Sequence, residues 1–297
     1  MKVLLIGADG QVGFELWRTL QFNREVIPTT SDGRDVLGMT TIKLDLSDAA
    51  DIQKKIDNIK PDVVCNAAAY TQVDQAETET ELARLINTEA LSVMAHSAKK
   101  NKCLLVHYST DYVFSGDHKF PWKEKDMTNP KSIYGQTKLN GENAIINSEC
   151  EYMIFRTAWV FSNRRNNFLN TLLRLSESHE QLKIVNDQQG APTWASTIAL
   201  ATMLALNIPE TGLYHLTSNG STTWFGFAQK IFSQAERVGL IQQQPELVPI
   251  SSKDFPTAAE RPKYSVLNCR KFEGIFNVKL PHWQTTLQLC MQQRIKP

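Results

Sequence analysis

No stretch of this chain approaches the ~18 consecutive apolar residues needed to cross a bilayer, and no block of like charge stands out. Lysine and arginine number 32 against 31 aspartates and glutamates, a formal net charge of +1. That balance removes the electrostatic reason to expect nucleic acid or a membrane surface as a partner. The five cysteines, Cys65, Cys103, Cys150, Cys269 and Cys290, are odd in number and widely spaced. They read as buried or incidental thiols in a reducing compartment rather than a disulfide framework. With no CxxC pair and no histidine cluster, nothing suggests a zinc site. The opening MKVLLIGADG has only about five apolar residues before a glycine turn, too few for a signal-peptide core. A cytoplasmic protein is expected. What is present is ordinary for a globular chain: 42% hydrophobic and 21% charged residues over 297 positions. That length supports a large core and lies near the size at which one core becomes two domains.

Short apolar runs alternate with helical patterns through the first half. KVLLIG (2–7), EVIPTT (25–30), TIKLDL (41–46), DVVCNAAA (62–69), CLLVHYST (103–110) and YMIFRTAWVF (152–161) read as strands. Helical patterns carry Val12, Leu16, Trp17 and Leu20, then Ile52, Ile56 and Ile59, then the long stretch from Thr80 to Lys100. Apolar runs without polar alternation suit strands buried on both faces, as in a parallel sheet. The alternation predicts a doubly wound α/β sheet with right-handed crossovers. The second half loses this rhythm. FLNTLLRLSES (168–178), STTWFGFAQKIFSQAERVG (221–239) and residues 269–295 read as helices, ELVPIS (246–251) as a short strand, and GLYHLTS (212–218) as an edge strand returning to the large sheet. The expected division is a dinucleotide-binding domain over 1–160, rejoined by 194–218. A smaller, partly interleaved C-terminal α/β substrate domain takes 161–193 and 219–297.

GADGQVG (7–13) follows the first strand and opens the first helix. Gly7 permits a tight turn, Gly10 lets a pyrophosphate approach the backbone, and Gly13 allows close helix–strand packing. Exposed N–H groups at the helix start would face the phosphates. An acidic group at the end of the second strand favours NAD and an arginine accommodates the 2′-phosphate of NADP. The segment TTSDGRD carries Asp32, Arg34 and Asp35 together, so NADH and NADPH both stay open. Asp45 ends the third strand, placed to meet an adenine edge.

SIYGQTKLN (132–140) sets Tyr134 four residues before Lys138, on one face of a helix. Such a pair can be a solvated surface coincidence, or a phenol loosened by a neighbouring ammonium. Upstream, HYSTDYVF (107–114) ends a strand with Ser109 and Thr110, where such sheets bind ligands. A hydroxyl, a tyrosine and a lysine behind a glycine loop form a far more specific set than any member alone.

The chain resembles the extended short-chain dehydrogenases/reductases, and within them the enzymes that reduce dTDP-linked 4-keto-6-deoxy sugars for cell-surface polysaccharide. GADGQVG, NAAAYTQVDQAE, HYSTDYVFSG, YGQTKLNGE, FRTAWVF, DQQGAPT, GLYHLTSNGSTTW and RPKYSVLN carry the likeness nearly end to end. It implies a Rossmann-type sheet and an NADPH- or NADH-dependent reductase. Tyr134 would be the general acid, acidified by Lys138, which would also bind the nicotinamide ribose; Thr110 would polarise the ketone, with Ser109 as the alternative. Gly10, Gln11 and Val12 would bind pyrophosphate, Asp45 and Leu46 the adenine, and Ala67, Ala68, Ala69 and Thr71 line the cofactor. Asp111 and Trp159 would lie near the sugar, with Trp159 alternatively a core aromatic. Asn166 and Asn167 are substrate contacts or turn residues. Arg261 meets the substrate diphosphate or pairs with Glu260 or another carboxylate. His107 and His215 read as packing residues, and the Asn219-Gly220-Ser221 sequon as silent. The related enzymes can dimerise through carboxylates and magnesium. Glu15 is available for that, but Ser196 stands where an acidic partner is wanted, leaving Mg²⁺ doubtful and a monomer or a homodimer open. Two rivals are a reductase of another nucleotide-linked 4-keto sugar and a non-catalytic NAD(P)-binding regulatory subunit.

Overall fold

The apolar runs of the first half form the interior of one sheet. The computed structural model describes residues 1–294. Its strands are β1 (Lys2–Ile6), β2 (Glu25–Thr30), β3 (Ile42–Lys43), β4 (Val63–Asn66), β5 (Leu104–Thr110), β6 (Tyr152–Thr157), β7 (Val160–Phe161), β8 (Gln181–Val185), β9 (Gln189–Gly190), β10 (Thr193–Trp194), β11 (Gly212–His215), β12 (Thr222–Thr223) and β13 (Glu246–Ile250). The helices are α1 (Gln11–Leu20), α2 (Ala49–Ile59), α3 (Thr80–Arg84), α4 (Ala90–Asn101), α5 (Ile133–Ser148), α6 (Phe168–Leu175), α7 (Ala195–Ala205), α8 (Trp224–Arg237), α9 (Arg270–Phe276) and α10 (Trp283–Gln292). Seven strands pair in the order β11-β6-β5-β4-β1-β2-β3, every pairing parallel.

Helices cover both faces, so inward alternation has no solvent side to show. Val3 and Leu5 face one core with Leu16, Leu20 and Ile198 from α1 and α7. Leu4 and Ile6 face the other with Ile52, Leu91, Met94 and Ile145 from α2, α4 and α5. The chain winds outward from β1 through β2 to β3, then returns to β4 on the other side of β1. That reversal opens a crevice beyond the carboxyl ends of β1 and β4, where such sheets take ligands. This is the Rossmann-type doubly wound α/β fold.

Several elements differ from their sequence reading. TIKLDL pairs only through Ile42 and Lys43, because the chain turns at Asp45, whose carboxylate accepts the N–H (2.9 Å) and hydroxyl (2.8 Å) of Ser47. The Thr80–Lys100 helix is broken by a wider π turn over Leu85–Glu89. That turn brings Asn87 inward, where it accepts the Tyr70 N–H and donates to Thr137 Oγ1. The stretch read as one helix over 269–295 holds two, α9 and α10, separated after Asn277 in the left-handed region (φ 49°), and its last residue lies outside the described ones. In the second half, β7 pairs with β10, β9 with β12 and β8 with β13. Phe161, Leu169, Trp194, Phe227, Ile231, Trp283 and Leu287 pack there as a separate apolar cluster. Among the described residues, no helix is long and apolar enough to cross a membrane.

Candidate active site

At the crevice, residues 7–10 turn the chain from β1 into α1. Gly7 lies at φ +77°, and a Cβ there would sit 2.8 Å from Ala68; one on Gly13 would sit 2.0 Å from the Gly7 carbonyl oxygen. Neither position admits a side chain. Gly10 caps α1 in an extended conformation with no side chain over the helix end. The N–H groups of Gln11, Val12 and Gly13 belong to the first turn, which has no intrahelical acceptors. Together with the helix dipole they form an anion cradle, and Ala67 leaves β4 beside it, its N–H on the Ile6 carbonyl (2.9 Å). These residues fit a dinucleotide pyrophosphate. At the tip of β2, Arg34 is paired with Asp32, while Asp35 accepts the Thr41 N–H at 3.1 Å. The backbone and hydroxyl of Ser47 hold the Asp45 carboxyl below its usual range, and Leu46 is buried.

A cleft of about 1150 Å³ runs from this cradle into the second half of the chain. It brings together Gln11, Thr71, Thr110, Asp111, Tyr134, Trp159, Asn166, Asn167 and Arg261. Thr110 ends β5, and Ser132 caps α5 by accepting the Gly135 N–H at 3.2 Å, which fixes Tyr134 in the first helical turn. The Tyr134 ring is partly exposed and stands edge-on to Tyr112, centroids 5.6 Å apart. Burial pushes its phenol up to about 12, against the lowering effect of the Thr110 hydroxyl and with the nearby Asp111 raising it further. Lys138 lies behind the cleft, 1% exposed, its Nζ 2.7 Å from the Tyr108 carbonyl and 2.9 Å from His107 Nε2. Burial lowers this amine to about 7, with Glu142 opposing. Burial, rather than Lys138, sets the direction of the phenol's shift. Desolvation governs both groups and drives each toward its neutral form.

The other residues have definite partners. Ser109 commits its hydroxyl to Glu142, itself paired with buried Arg156 at 2.6 Å. Asp111 is buried, its carboxyl pushed up to about 6 by desolvation, and its Oδ2 has no partner among the described residues. Trp159 sits at φ 46° and stacks on Trp224 at 3.5 Å and 5°. Asn167 caps α6 and donates to Gln11 Oε1 at 2.9 Å; Asn166 accepts the Thr171 hydroxyl. Arg261 pairs with Asp74 at 2.8 Å, not with its neighbour Glu260.

Comparison with known proteins gives this arrangement a family. Residues 1–295 match the family described as RmlD substrate binding domain. The chain is 41% identical to the dTDP-4-dehydrorhamnose reductase of Salmonella typhimurium, covering 96% of this chain and 95% of that one. With the Escherichia coli K12 enzyme of the same name it shares 40% over 99% and 98%. The chain belongs to the dTDP-4-dehydrorhamnose reductase family. A crystal structure of the Bacillus anthracis reductase in complex with NADP superposes with a TM-score of 0.89, at 32% identity over 98% of this chain and 99% of that one. The Clostridium acetobutylicum orthologue gives 0.90, at 35% identity over 99% of each.

Within that family frame, sequence reasoning passed over three partners. Trp224, the last residue of the GLYHLTSNGSTTW motif, supports Trp159 and donates its indole N–H to Gln188 Oε1 (3.1 Å). Asp74, in NAAAYTQVDQAE, holds both Arg261 and the Ala259 N–H. His107, which reads as packing in the sequence, also touches Lys138 through Nε2. Glu15 bonds Arg18 at 3.3 Å beside a smaller hollow that Ser196 also lines.

Proposed function

We propose that this chain reduces the C4 ketone of dTDP-4-dehydro-β-L-rhamnose with NADPH or NADH, giving dTDP-L-rhamnose. The observation that carries the reading is the convergence of Thr110 and protonated Tyr134 in one cleft with the glycine cradle, Lys138 standing behind. The dinucleotide would be held by Gly7, Gly10 to Gly13, Asp45, Leu46, Ala67 to Ala69, Thr71, Tyr134 and Lys138. When bound, its reduced nicotinamide supplies the hydride to the carbonyl carbon. Tyr134 gives its phenolic proton to the carbonyl oxygen. With its pKa raised, the phenol keeps that proton at neutral pH until oxygen charge develops. Thr110, whose hydroxyl donates to Asp111 Oδ1 at 3.1 Å, would turn that proton to the ketone and orient it. The unpartnered Oδ2 of Asp111 accepts from a sugar hydroxyl, and the Trp159 face packs against the ring. Arg261, exchanged from Asp74, and Asn167 meet the nucleotide end.

In this reading residues 1–160 with 194–218 hold the dinucleotide, and 161–193 with 219–297 hold the sugar nucleotide, in the cytoplasm. The test is to generate dTDP-4-dehydro-L-rhamnose from its precursor and follow loss of dihydronicotinamide absorbance with NADH and NADPH separately. Turnover is expected. No oxidation with either coenzyme, while another dTDP-4-keto sugar is reduced, would reassign the substrate. Binding without any turnover would favour a regulatory subunit.

A further inference from the structure

The charge on Lys138 can be settled by matching donors to acceptors along the chain of polar groups behind the cleft. The chain starts at the Ala68 backbone, whose N–H donates to Asn66 Oδ1 at 3.1 Å. That bond fixes the orientation of the Asn66 amide, because the reversed amide would set two donors against each other. Asn66 Nδ2 therefore points at His107 Nδ1, 3.2 Å away. An amide nitrogen only donates, so His107 Nδ1 is the bare, accepting nitrogen. The ring is buried, and that burial holds its pKa well below the ordinary value. It is neutral and carries its single proton on Nε2. Nε2 in turn lies 2.9 Å from Lys138 Nζ. An ammonium has three donors and no lone pair, so facing this N–H it would be a donor against a donor. A neutral amine accepts from Nε2–H and still donates to the Tyr108 carbonyl at 2.7 Å. With that assignment the four contacts from Ala68 through Asn66 and His107 to Lys138 and Tyr108 each pair one donor with one acceptor.

We propose that His107 is a positioning residue that holds Lys138 as a neutral amine before the dinucleotide binds, by donating its Nε2 proton to Nζ. The inference rests on the reading of Lys138 as a cofactor ligand beside Tyr134. The other titratable and charged groups around the amine do not reverse it. On α5, Tyr134 is a neutral phenol, and Glu142 is tied up by Arg156 of β6 and Ser109 of β5. From β5 and β4, Tyr108 and Cys65 are held protonated by burial. An uncharged Lys138 leaves the proton on Tyr134, the state a ketone reduction needs at its start. Protonating Lys138 requires His107 to give up its Nε2 proton and take one on Nδ1. That displaces Asn66 and frees the Ala68 amide, so the charge of the lysine is coupled to the backbone at the cofactor-lining end of β4.

The tautomer is directly readable. Long-range ¹H–¹⁵N correlation spectra of the wild-type protein, without dinucleotide and at about pH 8, distinguish bare from protonated ring nitrogens. His107 is expected with Nδ1 bare and Nε2 protonated. His215 is an internal control of opposite sense, since its Nδ1 lies 3.0 Å from the Trp122 carbonyl and must donate. H107Q assigns the signals and supplies a second readout. A glutamine can turn its carbonyl oxygen to Lys138 and admit the ammonium, so the lysine titration, followed by its ¹³Cε shift, should move up by at least a unit. His107 protonated on Nδ1, or on both nitrogens, overturns the proposal, as does a Lys138 titration unchanged in folded H107Q. If H107Q does not fold, the wild-type spectrum alone decides. No substrate is involved, so a failed turnover assay and a failed tautomer assignment are separate results.

Discussion

Replacing Tyr134 with phenylalanine removes one oxygen from a ring that stays packed against Tyr112, so the fold should be indifferent to it. Turnover should fall by roughly 10²–10⁴-fold, the range for losing a positioned acid, while dinucleotide affinity, read by fluorescence titration, stays within a few-fold. Unchanged turnover would take the phenol out of the mechanism. Lys138 offers a second measurement at this scale. Its folded pKa of about 7 lies below the 10.5 of an unperturbed lysine. Between those values the unfolded chain binds more protons than the folded one, so this group makes stability rise with pH across that window. Linkage puts the effect at no more than about 5 kcal/mol. Lys138→Met has no such proton to lose. Its stability relative to the parent, from urea unfolding at about pH 7 and about pH 9.5, should be greatest at the lower pH and shrink at the higher. A difference independent of pH would mean the amine is not perturbed.

At the scale of elements, the segment from Ser162 to Asn167 stitches the second half of the chain to the glycine turn. Gln11 Oε1 accepts from both Ser162 Oγ and Asn167 Nδ2, each at 2.9 Å, while Arg165 pairs with Asp9. Asn167 also caps α6 through the Asn170 N–H at 3.0 Å. Asn167→Ala should therefore cost about 1–2 kcal/mol, the upper part of the range for a lost cap, visible as a lower Tm. An unchanged Tm would show that neighbouring groups replace both bonds. None of this stitching is legible from periodicity. β1, β4, β5 and β6 were legible because burial on both faces leaves an unbroken apolar run. The two-residue pairs β7·β10 and β9·β12 are too short to carry a pattern. The π turn at 85–89 is set by Asn87 reaching Tyr70 and Thr137, residues distant in sequence.

For the whole molecule, the glycine turn, the Ser–Thr strand end and the Tyr–Lys helix could be read early because each is a local motif, and the parallel sheet then carries them to the same crevice. Partners contributed by remote segments could not: Asp74 for Arg261, Trp224 for Trp159 and His107 for Lys138 meet only after folding. The same architecture predicts how ligands act on stability. The cradle draws on β1, α1 and the end of β4, elements that exist together only in the folded chain, so a dinucleotide binds the native state and not the unfolded one. At a hundredfold excess over its Kd such a ligand adds about 2.7 kcal/mol, enough to move the Tm of a domain this size by several degrees. NADPH and NADH should each raise Tm by an amount that grows with the logarithm of concentration, and dTDP should add a further rise through the other side of the cleft. Gly13→Ala is the control: its Cβ would fall 2.0 Å from the Gly7 carbonyl oxygen and deform the cradle itself. A variant that still unfolds cooperatively but whose Tm no longer responds to dinucleotide, while still responding to dTDP, would locate the coenzyme at the glycine turn. Equal responses in the variant and the parent would place it elsewhere.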